Sequence, residues 1–273
     1  MIYENPPLPE DVNVSRDSVL GEFLRLLVAL IAIVAIAGTM LYFLGGWLAR
    51  FVPFSAEMSW TGDAVLGFDL QEARDGESTQ RYLQSLADRL AAEMELPDGM
   101  RPSAHYAELD VPNAFATLGG HIVVTTALYR IMPSENALAF VVAHEIAHIE
   151  ARDPIAALGG GALLGLGLTL LGRDAEALAP QVAYLVLNGY SRRAERRADA
   201  AALEAVRRLY GHAAGAAAAF EALGAHEGRA GRIPTFLSTH PATQERIAAL
   251  SDAAADWDRT SQPLLPLAVS TRD

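Results

Sequence analysis

The sequence predicts an α+β protein that is mostly helical and carries one N-terminal transmembrane helix. Two observations predict this: an uncharged apolar run near the N-terminus, and a longer region where apolar residues recur at helical spacing with one short β-branched stretch among them. The 273 residues leave room for one sizeable domain with appendages. We expect a disordered tail over 1–22, a transmembrane anchor over 23–49, a linker over 50–75, a folded domain over 76–255 and a C-terminal tail over 256–273.

The predicted anchor contains an uncharged run from Leu26 to Ala49, bracketed by Arg25 and Arg50. Its 24 residues, rising about 1.5 Å each as a helix, would cross a hydrocarbon core of roughly 30 Å with some tilt. A signal peptide has a shorter apolar segment nearer the N-terminus, so we favour a membrane span over a signal peptide or a buried core helix. Arg16 and Arg25 precede the run and only Arg50 closely follows it. This predicts a single-pass protein whose domain faces the periplasm or another exoplasmic space.

Within the domain, helices are predicted where apolar residues lie three and four apart, and a strand where β-branched residues cluster. The predicted helices cover Thr79–Met94, Ser134–Glu150 and 175–209, with Ser134 as the N-cap of the second, and an alanine-rich helical stretch follows. The predicted strand covers His121–Thr126 and follows Gly119 and Gly120. Short strand-like pieces from Ala64 to Leu70 occur in the linker.

Composition excludes several kinds of site. The chain has no cysteine, which excludes disulfides, thiolate metal sites and a cysteine nucleophile. Its net charge is −12 and it has no lysine, so it lacks the basic surface typical of nucleic-acid-binding proteins. We therefore expect no nucleic-acid partner.

A metal-binding motif lies in the predicted helix Ser134–Glu150. His144, Glu145 and His148 form the pattern H-E-x-x-H, and residues i and i+4 of a helix share one face. Both imidazoles can therefore bind one zinc ion per chain. Glu145 can take a proton from the attacking water and pass it to the leaving amine. The motif alone also fits a helix with two surface histidines.

A catalytic zinc ion needs a third protein ligand, and the helix over 175–209 offers one. Glu195 can complete the coordination through a carboxylate oxygen. Asp199, one turn further on, can accept a hydrogen bond from the outer nitrogen of a ligand histidine. This spacing is common on solvated helix faces, so the assignment depends on its pairing with the histidine motif.

In four places the chain resembles the HtpX-like membrane zinc endopeptidases, which are related to the CAAX prenyl proteases and to mitochondrial and periplasmic quality-control peptidases. The matching segments are Asn113–Phe115 with Gly119–Thr125, His144–His148, Ser191–Asp199, and Ser238–Pro241 with Glu245 and Arg246. The resemblance implies a gluzincin fold with a small sheet whose edge strand borders the cleft. It also implies a place in the bacterial inner membrane.

The resemblance assigns further residues. The substrate-binding positions on the sheet edge are Asn113, Ala114, Phe115, Ile122, Val123 and Val124, which would pair with an extended substrate backbone. His240 matches a family histidine near the metal. There it can either stabilise the oxyanion catalytically or occupy the open zinc position and keep the enzyme latent.

One segment departs from the family. HtpX and the prenyl proteases carry several spans, whereas residues 155–171, the second apolar run here, are rich in glycine. His148 precedes this run and Glu195 follows it, so a single crossing would separate two ligands of one metal. A return span over 173–191 would contain three charged residues. We expect 155–171 to pack in the domain or to dip into the near leaflet.

The sequence thus predicts a membrane-anchored zinc endopeptidase. Its partners would be membrane lipid and unfolded or membrane-associated protein and peptide substrates, in envelope protein quality control. The alternative is a non-enzymatic binding or chaperone-like module that keeps the zinc fold, which would not need the general base Glu145. A scaffold with an accidental motif is a third hypothesis, which metal analysis would test.

Overall fold

The structure is a computed structural model that describes residues 18–61, 76–170, 190–230, 235–258 and 260–268. The predictions for the tail up to residue 17, the strand-like pieces Ala64–Leu70, the segment 171–189 and the last five residues lie outside the described residues. Within these residues the fold is mostly helical with a three-stranded sheet, which confirms the predicted α+β class.

The elements follow in chain order. The helices are α1 (Val19–Ala49), α2 (Phe54–Thr61), α3 (Glu77–Met94), α4 (Thr126–Ile131), α5 (Glu135–Glu150), α6 (Asp153–Leu170), α7 (Arg192–Tyr210), α8 (Ala216–Ala230), α9 (Thr235–Thr239) and α10 (Gln244–Asp252). The strands are β1 (Ser103–Ala107), β2 (Ala114–Ala116) and β3 (His121–Thr125).

The predicted anchor is the helix α1, which begins somewhat before the predicted boundary and ends at it. Ser18 caps it, because its Oγ accepts the N–H of Gly21 at 2.9 Å. Most of the large apolar side chains of α1 are exposed, as expected of a helix whose surroundings are lipid. The helix is long and apolar enough to cross a membrane.

A second apolar helix, α6, packs antiparallel along α1. Glycines allow the two backbones to touch: a Cβ built at Gly159 would lie 2.7 Å from the carbonyl oxygen of Gly45. α6 is also long and apolar enough to cross a membrane, and Leu166 and Leu170 near its far end are exposed. The expectation that this segment packs in the domain holds only for its start, which is buried against α5, whereas most of the helix packs on α1. Its entry into the membrane stays a prediction.

A short helix, α2, follows α1 and connects it to the domain. It lies against the turn Leu118–Gly120, in which Gly119 and Gly120 have φ angles of 72° and 83°. A side chain at either glycine would collide with α2 as well as strain the backbone. The first part of the predicted linker is therefore a helix packed on the domain.

The sheet has the strand order β1-β3-β2, with β1 parallel and β2 antiparallel to β3. The strand predicted from His121 onward is confirmed as β3, and all five of its residues are buried. Since β3 lies in the middle, β2 is an edge strand of this sheet as far as the described residues show.

The core is built around α5. The predicted cap Ser134 begins this helix, because its Oγ accepts the N–H of Ala137 at 3.2 Å. Every residue of α5 up to Ile149 is buried, since α3, α7, α8 and the sheet surround it. The predicted apolar face of α3, with Leu83, Leu86 and Leu90 fully buried, packs into this core.

The described part of the C-terminal tail has no helix or strand after Asp252, as predicted, but it is tied to the start of α5. The N–H of Leu265 donates to Asn136 Oδ1 at 2.8 Å, and its carbonyl accepts the N–H of Glu135 at 2.8 Å. The tail thereby satisfies one of the backbone donors that a helix start leaves unpaired.

Three helices meet at the carboxylate of Glu135. It accepts hydrogen bonds from Tyr82 Oη at 2.7 Å, Arg89 Nη2 at 2.8 Å and Tyr210 Oη at 2.8 Å. Burial alone would raise the pKa of Glu135, but these three donors outweigh it and lower that pKa. The carboxylate therefore joins α3, α5 and α7 in its charged form.

Replacing Glu135 by glutamine is expected to lower the free energy of unfolding by about 1–3 kcal/mol at pH 7, because charged hydrogen bonds are lost inside the core. The pKa of Glu135 is lower in the folded than in the unfolded protein. The extra stability of the wild type is therefore fully present above the unfolded-state pKa, and it disappears as the pH falls through the folded-state pKa. Thermal unfolding at pH 7 and pH 4 measures both effects. Glu221→Gln, at an exposed position of α8, is the control. An equal loss of unfolding free energy at pH 7 and pH 4 would show that the charge of Glu135 does not contribute to stability.

Candidate metal centre

The centre of the site is a pair of imidazoles on α5. His144 and His148 lie one turn apart, are 1% and 0% exposed, and bring their Nε2 atoms to 3.1 Å from each other. The predicted spacing therefore does place both rings on one face. Because α5 is surrounded by the core, the two rings are held by packing from all sides.

Glu195, in the first turn of α7, completes the group. Its Oε2 lies 3.4 Å from His144 Nε2, and its Oε1 lies 3.5 Å from His148 Nε2. Three ligands that each lie about 2.0–2.1 Å from one tetrahedral ion are about 3.3–3.4 Å apart. The three donors already have nearly this spacing, so they fit a zinc ion.

The outer nitrogens of both rings face carboxylates. His144 Nδ1 lies 3.1 Å from Asp199 Oδ1, and His148 Nδ1 lies 2.9 Å from Asp153 Oδ2. Because an ionised carboxylate only accepts hydrogen bonds, each Nδ1 carries the proton and each Nε2 directs a lone pair into the cluster. Two lone pairs and the carboxylate of Glu195 then face one another, an arrangement that a cation stabilises. Asp199 lies as predicted, whereas sequence reasoning missed Asp153.

The electrostatics of the cluster also favour a cation. Burial would lower the pKa of His144, but Asp199 and Glu195 raise it to about 9. Burial would raise the pKa of Glu195, but the surrounding histidines lower it. A metal ion would therefore compete with protons for these imidazoles, and its affinity should rise with pH.

Glu145 lies beside the cluster. It is fully buried, and its Oε2 accepts the N–H of Ala116 at 2.8 Å. Its other oxygen, Oε1, lies 3.4 Å from His240 Nε2. Burial raises the pKa of Glu145, which suits a group that accepts a proton and later returns it.

His240, just after α9, lies where a fourth ligand would. It is 2% exposed, and its Nδ1 lies 3.0 Å from Glu195 Oε1 and 3.2 Å from His144 Nε2. One possible ligand atom from each of His144, His148, Glu195 and His240 lies within 4.8 Å of the others. Burial lowers the pKa of His240, so its ring is neutral and able to bind a metal.

Arg246 on α10 holds both carboxylates of α7. Its Nε and Nη2 bind the two oxygens of Asp199 at 2.7 and 2.8 Å, and its Nη1 lies 2.9 Å from Glu195 Oε2. The guanidinium also lies over the ring of Phe220, 4.9 Å from its centroid. From the sequence, Arg246 was only part of a segment that matches the family, because nothing in the local pattern indicates partners on another helix.

Tyr190 is another residue that sequence reasoning missed. Its ring stacks on that of His148 with the centroids 3.9 Å apart. Burial raises the pKa of Tyr190 well above its usual value, so the hydroxyl stays protonated. The stacked ring closes one side of the cluster.

The predicted substrate-binding residues divide between two strands. Asn113 precedes the edge strand β2, and Ala114 and Phe115 lie in it. Ile122, Val123 and Val124 lie in β3, whose backbone pairs with β1 on one side and β2 on the other. Their assignment to the edge is therefore corrected: β3 supports β2 and has no free side for a substrate.

Comparisons with known proteins agree with this site. A sequence model of peptidase family M48 matches residues 77–254, which include the whole cluster. A protease HtpX homolog of Salinibacter ruber is 28% identical over 272 residues, covering 84% of this chain and 96% of that protein. Protease HtpX homologs of Burkholderia cenocepacia and Burkholderia multivorans are each 29% identical over 241 residues, covering 71% of this chain and 82% of theirs.

Proposed function

We propose that this chain, which belongs to peptidase family M48 and is a metalloprotease, hydrolyses internal peptide bonds with one zinc ion. The spacing of His144, His148 and Glu195, with donor atoms 3.1–3.5 Å apart, carries this proposal. When bound there, zinc would supply a Lewis acid for the peptide carbonyl and a lowered pKa for the attacking water.

Glu145 is the proposed general base and acid. As a carboxylate it accepts a proton from the attacking water, and as the neutral acid it donates that proton to the leaving nitrogen. Its burial supports this role, because a raised pKa brings the two protonation states closer in free energy near neutral pH. The N–H of Ala116 holds one of its oxygens, which leaves the other for the proton transfer.

The edge strand β2 is the proposed substrate-binding strand. The N–H of Ala116 points to Glu145, so a peptide added to β2 on the side away from β3 would pass the general base. Backbone pairing gives affinity with little dependence on side chains. This supports unfolded or membrane-associated proteins as substrates, and a role in envelope protein quality control.

His240 is proposed to occupy the fourth zinc position in a latent state. Its neutral ring and its distances to Glu195 and His144 support this over oxyanion stabilisation. The two roles predict opposite effects of His240→Ala on peptide hydrolysis. Loss of a latent ligand would raise kcat, whereas loss of an oxyanion donor would lower it about 10²–10³-fold.

The proposed reaction is tested by removing the metal. The purified full-length protein in detergent, and its His240→Ala variant, should cleave unfolded casein, lose this activity with a chelator and regain it with one equivalent of zinc. Magnesium and calcium should not restore it, because they prefer oxygen ligands. Full cleavage by protein shown to be free of metal would rule out the proposal.

We further propose that α1 crosses the bacterial inner membrane, that α6 enters its near leaflet beside α1 without crossing it, and that the domain lies on the periplasmic side. Their exposed apolar surfaces and mutual packing support this. Because the chain has no cysteine, a single cysteine at the exposed position Ser251 reports the side of the domain. Labelling of intact cells by a membrane-impermeant maleimide supports the periplasmic side; labelling only after lysis would place the domain in the cytoplasm.

A further inference from the structure

Asp153 is a buried carboxylate that contacts a metal-ligand candidate and two arginines. It is 5% exposed, and its Oδ2 accepts the Nδ1–H of His148 at 2.9 Å. The same oxygen pairs with Arg197 on α7, and Oδ1 lies 3.4 Å from Nη2 of Arg50. The carboxylate thus contacts His148 on one side and pairs with two guanidinium groups on the other.

These contacts join the membrane helices to the proposed metal site. Arg50 caps the C-terminal end of α1, and Asp153 is the first residue of α6. His148 belongs to α5, and Arg197 follows Glu195 on α7 by half a turn. The carboxylate therefore lies where both membrane helices meet both helices that carry the candidate ligands.

The neighbouring residue fixes Asp153 in this place. Arg152 has a φ of 62°, which is uncommon for a residue with a side chain, and it reverses the chain between α5 and α6. Its guanidinium pairs with Glu57 at 2.5 Å and with the carbonyl of Val52, both in the segment that follows α1. The far oxygen of Glu57 accepts the N–H of Gly119 at 3.3 Å, in the turn before β3.

We propose that Asp153 is a positioning residue for His148, and that Arg50 makes the end of the membrane anchor part of the metal centre through it. The proposal rests on the metal site proposed above. The carboxylate holds His148 with its proton on Nδ1 and its Nε2 lone pair towards the other ligands. Arg50 orients the carboxylate from the membrane side, so the anchor acts on metal affinity as well as on location.

The test measures zinc affinity of the full-length protein in detergent by competition with a chromophoric chelator. Asp153→Asn is expected to weaken zinc binding about 10–100-fold, since loss of such an outer partner typically has this effect. Arg50→Gln should also weaken zinc binding, but to a smaller extent. In the double variant Arg50→Gln should add nothing, because its effect passes through Asp153. The absorption spectrum of the cobalt-substituted protein should shift in Asp153→Asn, which a merely structural role would not cause.

The matched control is Arg25→Gln, near the other end of α1 and roughly 37 Å away along the helix, which should leave zinc affinity unchanged. Because Arg50 is half exposed, Arg50→Gln keeps the proposal testable even if Asp153→Asn fails to fold. Wild-type affinity in both Asp153→Asn and Arg50→Gln, or additive effects in the double variant, would overturn the inference. Failure of the wild-type chain to bind zinc would instead overturn the proposed function, so the two failures are distinguishable.

Discussion

Replacing Glu145 by glutamine is expected to abolish peptide hydrolysis while the protein still binds zinc. The amide cannot accept a proton from water, and loss of a positioned general base lowers kcat about 10²–10⁴-fold. Zinc binding should persist, since Glu145 lies beside the ligands and its Oε2 is occupied by the N–H of Ala116. The amide oxygen of glutamine can accept the same hydrogen bond, so the edge strand β2 should stay in place.

Casein cleavage, zinc content and thermal unfolding of the variant should be measured together. Removing a carboxylate whose pKa is raised by burial should leave thermal stability unchanged or slightly higher. Low activity with full zinc content and an unchanged unfolding temperature supports the assignment. If the variant kept its metal and cleaved casein at the wild-type rate, Glu145 would not be the general base, and a different catalytic group would be indicated.

Replacing Glu195 by glutamine is expected to weaken zinc binding more than any change outside the ligand set. The variant loses the charged carboxylate, whose Oε2 lies 3.4 Å from His144 Nε2 and whose Oε1 lies 3.5 Å from His148 Nε2, so the effect should exceed the roughly 10–100-fold typical of outer partners. It also leaves Arg246 without one of its two carboxylates, at a 2.9 Å contact inside the domain. Hydrolysis should be lost together with the metal.

Chelator competition and casein cleavage measure the effect of Glu195→Gln. The control is Glu204→Gln on the same helix, where the side chain is 52% exposed and pairs only with neighbouring arginines in the described structure. This control should bind zinc as the wild type does. Equal zinc affinity of Glu195→Gln and Glu204→Gln would remove Glu195 from the ligand set.

The site was predictable from sequence where its geometry is local. His144 and His148 share a face because one turn of helix separates them, and the Ser134 cap and apolar periodicity predicted that helix. Glu195 and Asp199 share a face for the same reason, so only their assignment to the metal site depended on pairing this helix with the histidine motif.

The missed residues depend on how distant segments meet. Asp153 follows His148 by five positions, but the helix ends between them and Arg152 reverses the chain, so helical spacing does not connect the two. Arg246 reaches the carboxylates of α7 from α10, and a local pattern contains no information about that approach.

The strand order of the sheet and the packing of the second apolar helix also depend on contacts between distant segments, which local sequence patterns do not predict. The β-branched residues of β3 predicted a strand, but strand order depends on pairing with β1 and β2, which made β3 the central strand. The positions of His148 before α6 and Glu195 after it argued against a single membrane crossing, and the glycines of this helix were given no role. In the structure they are the positions where α6 approaches α1 closely, because Gly159 meets Gly45 without side chains between the backbones.

We expect two imidazoles of α5 and one carboxylate of α7 to bind a single zinc ion. Anomalous diffraction at the zinc absorption edge tests this expectation most directly. Crystals of the full-length protein should show one peak per chain, about 2.0–2.2 Å from His144 Nε2, His148 Nε2 and a carboxylate oxygen of Glu195. A peak elsewhere in the chain, or none in zinc-saturated protein with peptidase activity, would contradict the account.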